Sequence, residues 1–359
     1  MDRFDRVSEQ GEAKRLLRAA LEEPAHAYLF HGPAGVGKRG AAIVFAGELI
    51  GDPARVERRA HPDVYALEPL GDQIRIDAIR ELRHDLHMRP FEADRRVYLL
   101  FGAHLLNEEA ADALLKDLEE PPSYAVIVLV ADELGPLPET IRSRCQLVPF
   151  RRLSERAVRA AIEARTPELS PNQAAAIARV AAGRLDRAER LLDPEAAERR
   201  TVLLALARSV YRADAFEPGA AARQLVEAAR GRGAQAKAQA EEELEPLALT
   251  QREAEQRVRR AARGAEREEL LASLEELASW YRDLVVTAAG AGDAAANLDH
   301  AAELRDDATI ERLAGAERAA ELVREAWRAF EEFNVNASLA LEALFIELRR
   351  ELAPAAAPA

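Results

Sequence analysis

The chain holds a single cysteine, Cys145, in 359 residues. That excludes an intrachain disulfide and a four-thiolate zinc site. No stretch approaches the ~18 consecutive apolar residues that a membrane-spanning helix requires. The opening Met1-Asp2-Arg3-Phe4-Asp5-Arg6 lacks the apolar core of a secretory signal. A cytoplasmic location is the expectation. Glycine and proline, at 18 each, are too few for a collagen-like or low-complexity chain. A basic excess is missing as well. Against 50 Lys and Arg stand 63 Asp and Glu, a formal charge of −13, which argues against a protein that coats nucleic acid. There is no G-x-S-x-G elbow, and Cys145 has no base beside it in sequence.

What remains is 48% hydrophobic and 31% charged, enough apolar material for two or three cored domains. Residues 1–150 alternate strand-like and helix-like runs. Strands are expected at 27–31, 63–67, 97–101, 125–130 and 146–150, with helices at 38–50, 76–88 and from a cap at Asn107 to Glu120-Pro121-Pro122. Ala125-Val126-Ile127-Val128-Leu129-Val130 has no polar face, which indicates a parallel sheet with helices on both faces. From Leu153 the strand signals stop. Short helices broken at Pro167, Pro171, Gly183 and Pro194 give way to Ala-, Glu-, Arg- and Leu-rich helices. Turns are expected near Pro218-Gly219, Gly231–Gly233, Gly290–Gly292 and Gly315. Leu270, Leu274, Leu277, Tyr281 and Leu284 form one apolar seam, and Asn336 caps a last helix with an apolar face at Leu339, Leu344, Phe345 and Leu348. The run 235–263 reads as a solvated, charged helical arm and the end as a frayed tail.

Gly32-Pro33-Ala34-Gly35-Val36-Gly37-Lys38-Arg39 follows a strand and opens a helix, the setting in which GxxxxGK[ST] cradles phosphates. Gly32, Gly35, Gly37 and Lys38 fit the nucleotide loop. Arg39 stands where a hydroxyl should ligate Mg²⁺, and a guanidinium has no acceptor to offer. An ATPase of this kind also needs carboxylates after the next apolar strand, where Phe101-Gly102 stands instead. Both departures argue against hydrolysis in this site. Static or Mg²⁺-independent nucleotide binding, with Arg39 supplying charge, stays open. His84 and His87 share a helix face but have no third ligand in register, so no metal site is expected; His104 reads as structural.

Several motifs carry a resemblance. Phe4-Asp5-Arg6-Val7 with Gln10, His26-Ala27-Tyr28-Leu29-Phe30-His31-Gly32-Pro33, and His61-Pro62-Asp63 come first. Leu114-Leu115-Lys116-Asp117-Leu118-Glu119-Glu120-Pro121-Pro122 and Ile141-Arg142-Ser143-Arg144-Cys145 follow in order. Together they resemble bacterial clamp-loader AAA+ subunits, densely over residues 1–190 and thinly beyond, where Asn334-Val335-Asn336 is similar to the collar. The missing hydroxyl and carboxylates point to the delta-prime branch, which commonly has a degenerate nucleotide site. The resemblance implies a RecA-like α/β P-loop AAA+ domain over 1–150, a helical lid over 151–196, and an all-α collar over 197–354 that carries the arm near 235–263. The tail, 355–359, is expected to be disordered.

The resemblance further implies that Arg144, flanked by Ser143 and Cys145, is an arginine finger for a neighbouring subunit's ATP. The implied partners are the gamma/tau motor and delta subunits, the sliding clamp indirectly, and primer–template DNA through a few phosphate contacts. No cofactor is required. Relatives often carry a zinc module with four cysteines, which Gly51–Ala60 lacks. Arg187 falls near the family's second sensor arginine. The rival expectations are an active gamma/tau-like ATPase and a static nucleotide-sensing interaction protein.

Overall fold

The computed structural model describes residues 3–69, 73–132, 134–244, 251–332 and 335–353. The expected tail at 355–359, Asn334, and the 245–250 part of the arm lie outside the described residues. The chain divides into two compact units. The first comprises 1–174 with 181–188, and the second 175–180 with 189–359. The stretch expected to be a lid is therefore shared between them, with the division falling inside the helices Pro171–Val180 and Leu185–Leu192.

In the first unit, five parallel strands form one sheet: β1 (Ala27–His31), β2 (Val64–Leu67), β3 (Arg96–Phe101), β4 (Ala125–Ala131) and β5 (Gln146–Pro149), in the order β2-β3-β4-β1-β5. The α/β P-loop fold expected from the strand and helix alternation is present. The period of two sorts the strand residues onto opposite faces. Tyr28, Phe30, Val97, Leu99, Phe101, Val126, Val128 and Val130 pack in one core cluster with Phe45 of the Lys38–Ile50 helix and Leu17 of the Gly11–Glu22 helix. Leu29, Tyr98, Leu100, Ile127 and Leu129 pack in the other, with Ile79 and Leu82 of the Ile76–Leu86 helix and Leu114 of the Glu108–Glu119 helix. Both faces are covered, which explains why β3 and β4 carry no polar alternation. Phe101 thus points to the same side as the helix that follows the glycine-rich loop.

The second unit is helical. Pro194–Arg212, Pro218–Leu244, Gln251–Ala288, Ile310–Glu332 and Ala337–Leu352 surround a core containing the expected seam Leu270, Leu274, Leu277, Tyr281 and Leu284, together with the fully buried Trp280. Asn336 caps the last helix by accepting from the Leu339 amide at 3.2 Å. Leu339 itself, expected on the buried face, is 66% exposed. The core face of that helix runs instead through Leu341, Leu344, Phe345 and Leu348. Gly231–Gly233 and Gly315 are not turns; they lie inside the helices Pro218–Leu244 and Ile310–Glu332. Their use is close approach. A Cβ on Gly233 would meet the Glu266 side chain at 2.5 Å, and one on Gly315 would meet the Glu351 carbonyl at 2.3 Å. The described parts of the 235–263 arm are the end of one long helix and the start of the next, and the two helices pack on each other.

Candidate functional site

The loop between β1 and the Lys38–Ile50 helix is held from outside by its neighbours. Gln10 donates through Nε2 to the carbonyls of Val36 (3.3 Å) and Arg151 (2.6 Å), and its Oε1 accepts from the Arg151 amide (3.0 Å). The Leu185 amide donates to the Gly35 carbonyl at 2.7 Å. Gly32 and Gly35 admit no side chain. A Cβ there would lie 2.1 Å from the Phe150 carbonyl oxygen and 1.7 Å from the Asp186 carboxylate, respectively. Asp186 is in turn gripped by Arg184 at 2.7 and 3.1 Å, and accepts from the Arg187 amide at 2.8 Å. Arg187, the expected sensor position, is buried in this cluster.

The loop lysine is turned inward. Lys38 is 4% exposed. Its Nζ donates to the carbonyls of Gly32 (2.7 Å) and Pro33 and pairs with Asp132 at 2.8 Å, just beyond β4. Burial lowers its proton affinity, and Asp132 offsets part of that.

The two departures from the active pattern meet in space. The Arg39 guanidinium lies over the Phe101 ring, 4.1 Å from its centroid. It also makes a two-pronged pair with Glu68, one contact at 2.7 Å and the other shorter, while Arg59 reaches the same carboxylate at 3.3 Å. At the position whose hydroxyl would ligate Mg²⁺ there is a cation, and across from it stands an aromatic ring where a carboxylate belongs. Stacking fills the space between them.

Arg144 lies just after the short helix Glu139–Arg142. Its Nη1 donates to the Thr140 carbonyl at 2.8 Å and lies 3.4 Å from Ser143 Oγ, and its Nη2 pairs with Glu119 at 2.5 Å. It remains partly exposed. Ser143 Oγ donates to the Thr140 carbonyl at 3.1 Å. Cys145 is packed against the core, and burial pushes its thiol up to about 12, so it is no nucleophile. Among the described residues no hydrogen bond or ion pair joins Arg144 to the loop.

Several other motif residues make contacts within the fold. The fully buried Asp63 accepts from the amides of Phe91, Glu92 and Ala93 at 2.6, 2.8 and 2.9 Å, clamping the turn that leads into β3. His61 Nδ1 accepts from the Asp63 amide at 3.1 Å. Asp117, also buried, pairs with Arg83 at 2.8 Å, with His87 at the edge of reach at 4.0 Å. His104 Nδ1 accepts from the Asp132 amide at 3.1 Å. Among the described residues no group of three or more His, Cys, Asp or Glu could hold a metal ion. No helix among them is long and apolar enough to cross a membrane. Glu68 and Asp132 belong to the site without any sequence signal beyond, for Asp132, a lone acid ending an apolar strand, and Glu119 was visible only as a member of the Leu114–Pro122 motif.

Fold and loop together define a P-loop α/β domain. Residues 9–154 match the family model described as DNA polymerase III, delta subunit. The DNA polymerase III subunit tau of Bacillus subtilis is 31% identical over 167 residues, 43% of this chain and 30% of that protein. The DNA polymerase III subunit delta' of the same organism is 29% identical over 163 residues, 42% of this chain and 50% of that protein. The chain therefore spans half or less of the length of these relatives. A DNA polymerase III gamma subunit-related protein from Thermotoga maritima aligns in structure over 95% of this chain and 99% of its own, with 17% identity and a TM-score of 0.40.

Proposed function

We propose that this chain is a clamp-loader subunit of the delta-prime kind, which hydrolyses nothing itself and completes the ATP site of a neighbouring gamma/tau motor. The observation that carries the reading is the stack of Arg39 on Phe101 beside Glu68, which occupies the metal side of the chain's own loop. Lys38, locked to Asp132, adds to it. Arg144, by contrast, stays at the surface on a short, well-anchored segment. Its role would be to spread positive charge over the phosphoryl group in transfer, for which a permanently charged planar fork is suited. The ring of motor, delta and this subunit would then open a sliding clamp and place it on primed DNA, with this chain touching the nucleic acid through a few phosphates.

The test is reconstitution with gamma/tau and delta subunits. The chain should co-purify with them. Arg144→Ala should assemble normally and lose about 10³–10⁵ in rate at the one ATP site it completes. Undiminished clamp-stimulated ATPase would refute the finger. ATP turnover by the isolated chain at a motor subunit's rate would favour an active gamma/tau-like ATPase instead.

A further inference from the structure

Glu119, the carboxylate that holds Arg144, is placed with more care than a surface ion pair requires. It is the last residue of the Glu108–Glu119 helix, whose final turn is fixed by Leu114 and Leu118 in the core and by the buried Asp117–Arg83 pair. The Glu120 amide closes the helix on the Lys116 carbonyl at 3.1 Å, and Pro121-Pro122 stops it there. On the other side, Ile141 is buried in the same core, and the Arg144 amide donates to the Ile141 carbonyl at 3.2 Å. Both backbones are therefore set before the side chains meet, which lowers the ordering cost that usually cancels such a pair. Yet the carboxylate is half-exposed and the guanidinium about one-third exposed. Another oxyanion can reach the fork from solvent.

We propose that Glu119 is a docking post: it holds the Arg144 fork in position until a triphosphate presented by a neighbouring subunit takes its place. The inference rests on the finger reading of Arg144. A carboxylate and a terminal phosphate offer the guanidinium the same kind of paired oxygen acceptors, so the exchange is like for like. Leaving Glu119 is then part of the barrier to hydrolysis in trans. Partly exposed ion pairs are worth little, and removing this one should speed the Arg144-dependent step by about 1.5- to 5-fold.

The experiment uses the assembled complex with clamp and primed DNA, and reads the part of the ATPase that Arg144→Ala abolishes. Glu119→Gln, which keeps shape and removes charge, should raise that part by about 1.5- to 5-fold, and Glu119→Asp should return it toward the wild-type rate. The gain should vanish in the Glu119→Gln/Arg144→Ala double variant. A merely structural Glu119 would not accelerate anything. If Arg144→Ala slows the complex but Glu119→Gln and Glu119→Ala leave the rate unchanged or lower it, the post is refuted and the finger survives. If Arg144→Ala has no effect, the finger fails and the post fails with it.

Discussion

Replacing Asp63 with alanine should unfold the sheet domain at markedly lower denaturant. The carboxylate is fully buried and accepts three backbone amides at 2.6–2.9 Å, so the substitution orphans three donors at once. Removing one side of a buried, charged hydrogen-bonded cluster costs about 3–5 kcal/mol. With a urea dependence of about 1–3 kcal/mol per molar, the midpoint should fall by roughly 1–5 M. The chain supplies its own control, because both tryptophans, Trp280 and Trp327, lie in the second unit. Far-UV circular dichroism should show the early loss, while the tryptophan transition should move much less. Burial pushes the Asp63 carboxyl up, but the three amides and Arg96 outweigh it and hold it below its ordinary value. Its contribution is therefore complete above the unfolded value of about 3.9 and is lost as pH falls through the folded one. Wild type and Asp63→Asn should converge in acid. A circular dichroism midpoint that does not move would refute this account of the His-Pro-Asp motif.

The closed loop and the buried thiol make two further predictions. Lys38→Met should destabilise the first unit by about 1–3 kcal/mol, since it removes a charged donor from Gly32, Pro33 and Asp132. It should leave the ATPase of the assembled complex at the wild-type rate, which paired urea melts and turnover assays would check. Cys145, with its thiol pushed up to about 12, should resist iodoacetamide at pH 8 in the native chain and react fully in urea.

Much of the architecture was legible because its physics is local. β3 and β4 are buried on both faces, so Val97–Phe101 and Ala125–Val130 read as strands without tertiary information, and the observed strands differ by one residue at an end. Asn107 and Asn336 cap as their side chains suggest, by accepting from Ala110 and Leu339 amides. Other features depend on what lies across the fold. Glycine in sequence looks the same whether it turns the chain or lets a neighbour close in, which is why Gly233 and Gly315 read as turns but serve helix packing. Leu339 fits an apolar helical pattern yet sits one step outside the face that the core selects. At the site, Arg39 and Phe101 were each visible as departures, but their contact depends on β3 directing Phe101 toward the Lys38–Ile50 helix. Glu68, Asp132 and Glu119 are ordinary acids until the fold gives each one an arginine or lysine.

The most direct measurement is an equilibrium titration of ATP onto the isolated full chain, with and without Mg²⁺. If Arg39, Phe101 and Glu68 fill the metal side of the loop and Asp132 holds Lys38, neither titration should saturate. Saturable, Mg²⁺-dependent binding accompanied by turnover would contradict the closed site and return the chain to the ranks of working motors.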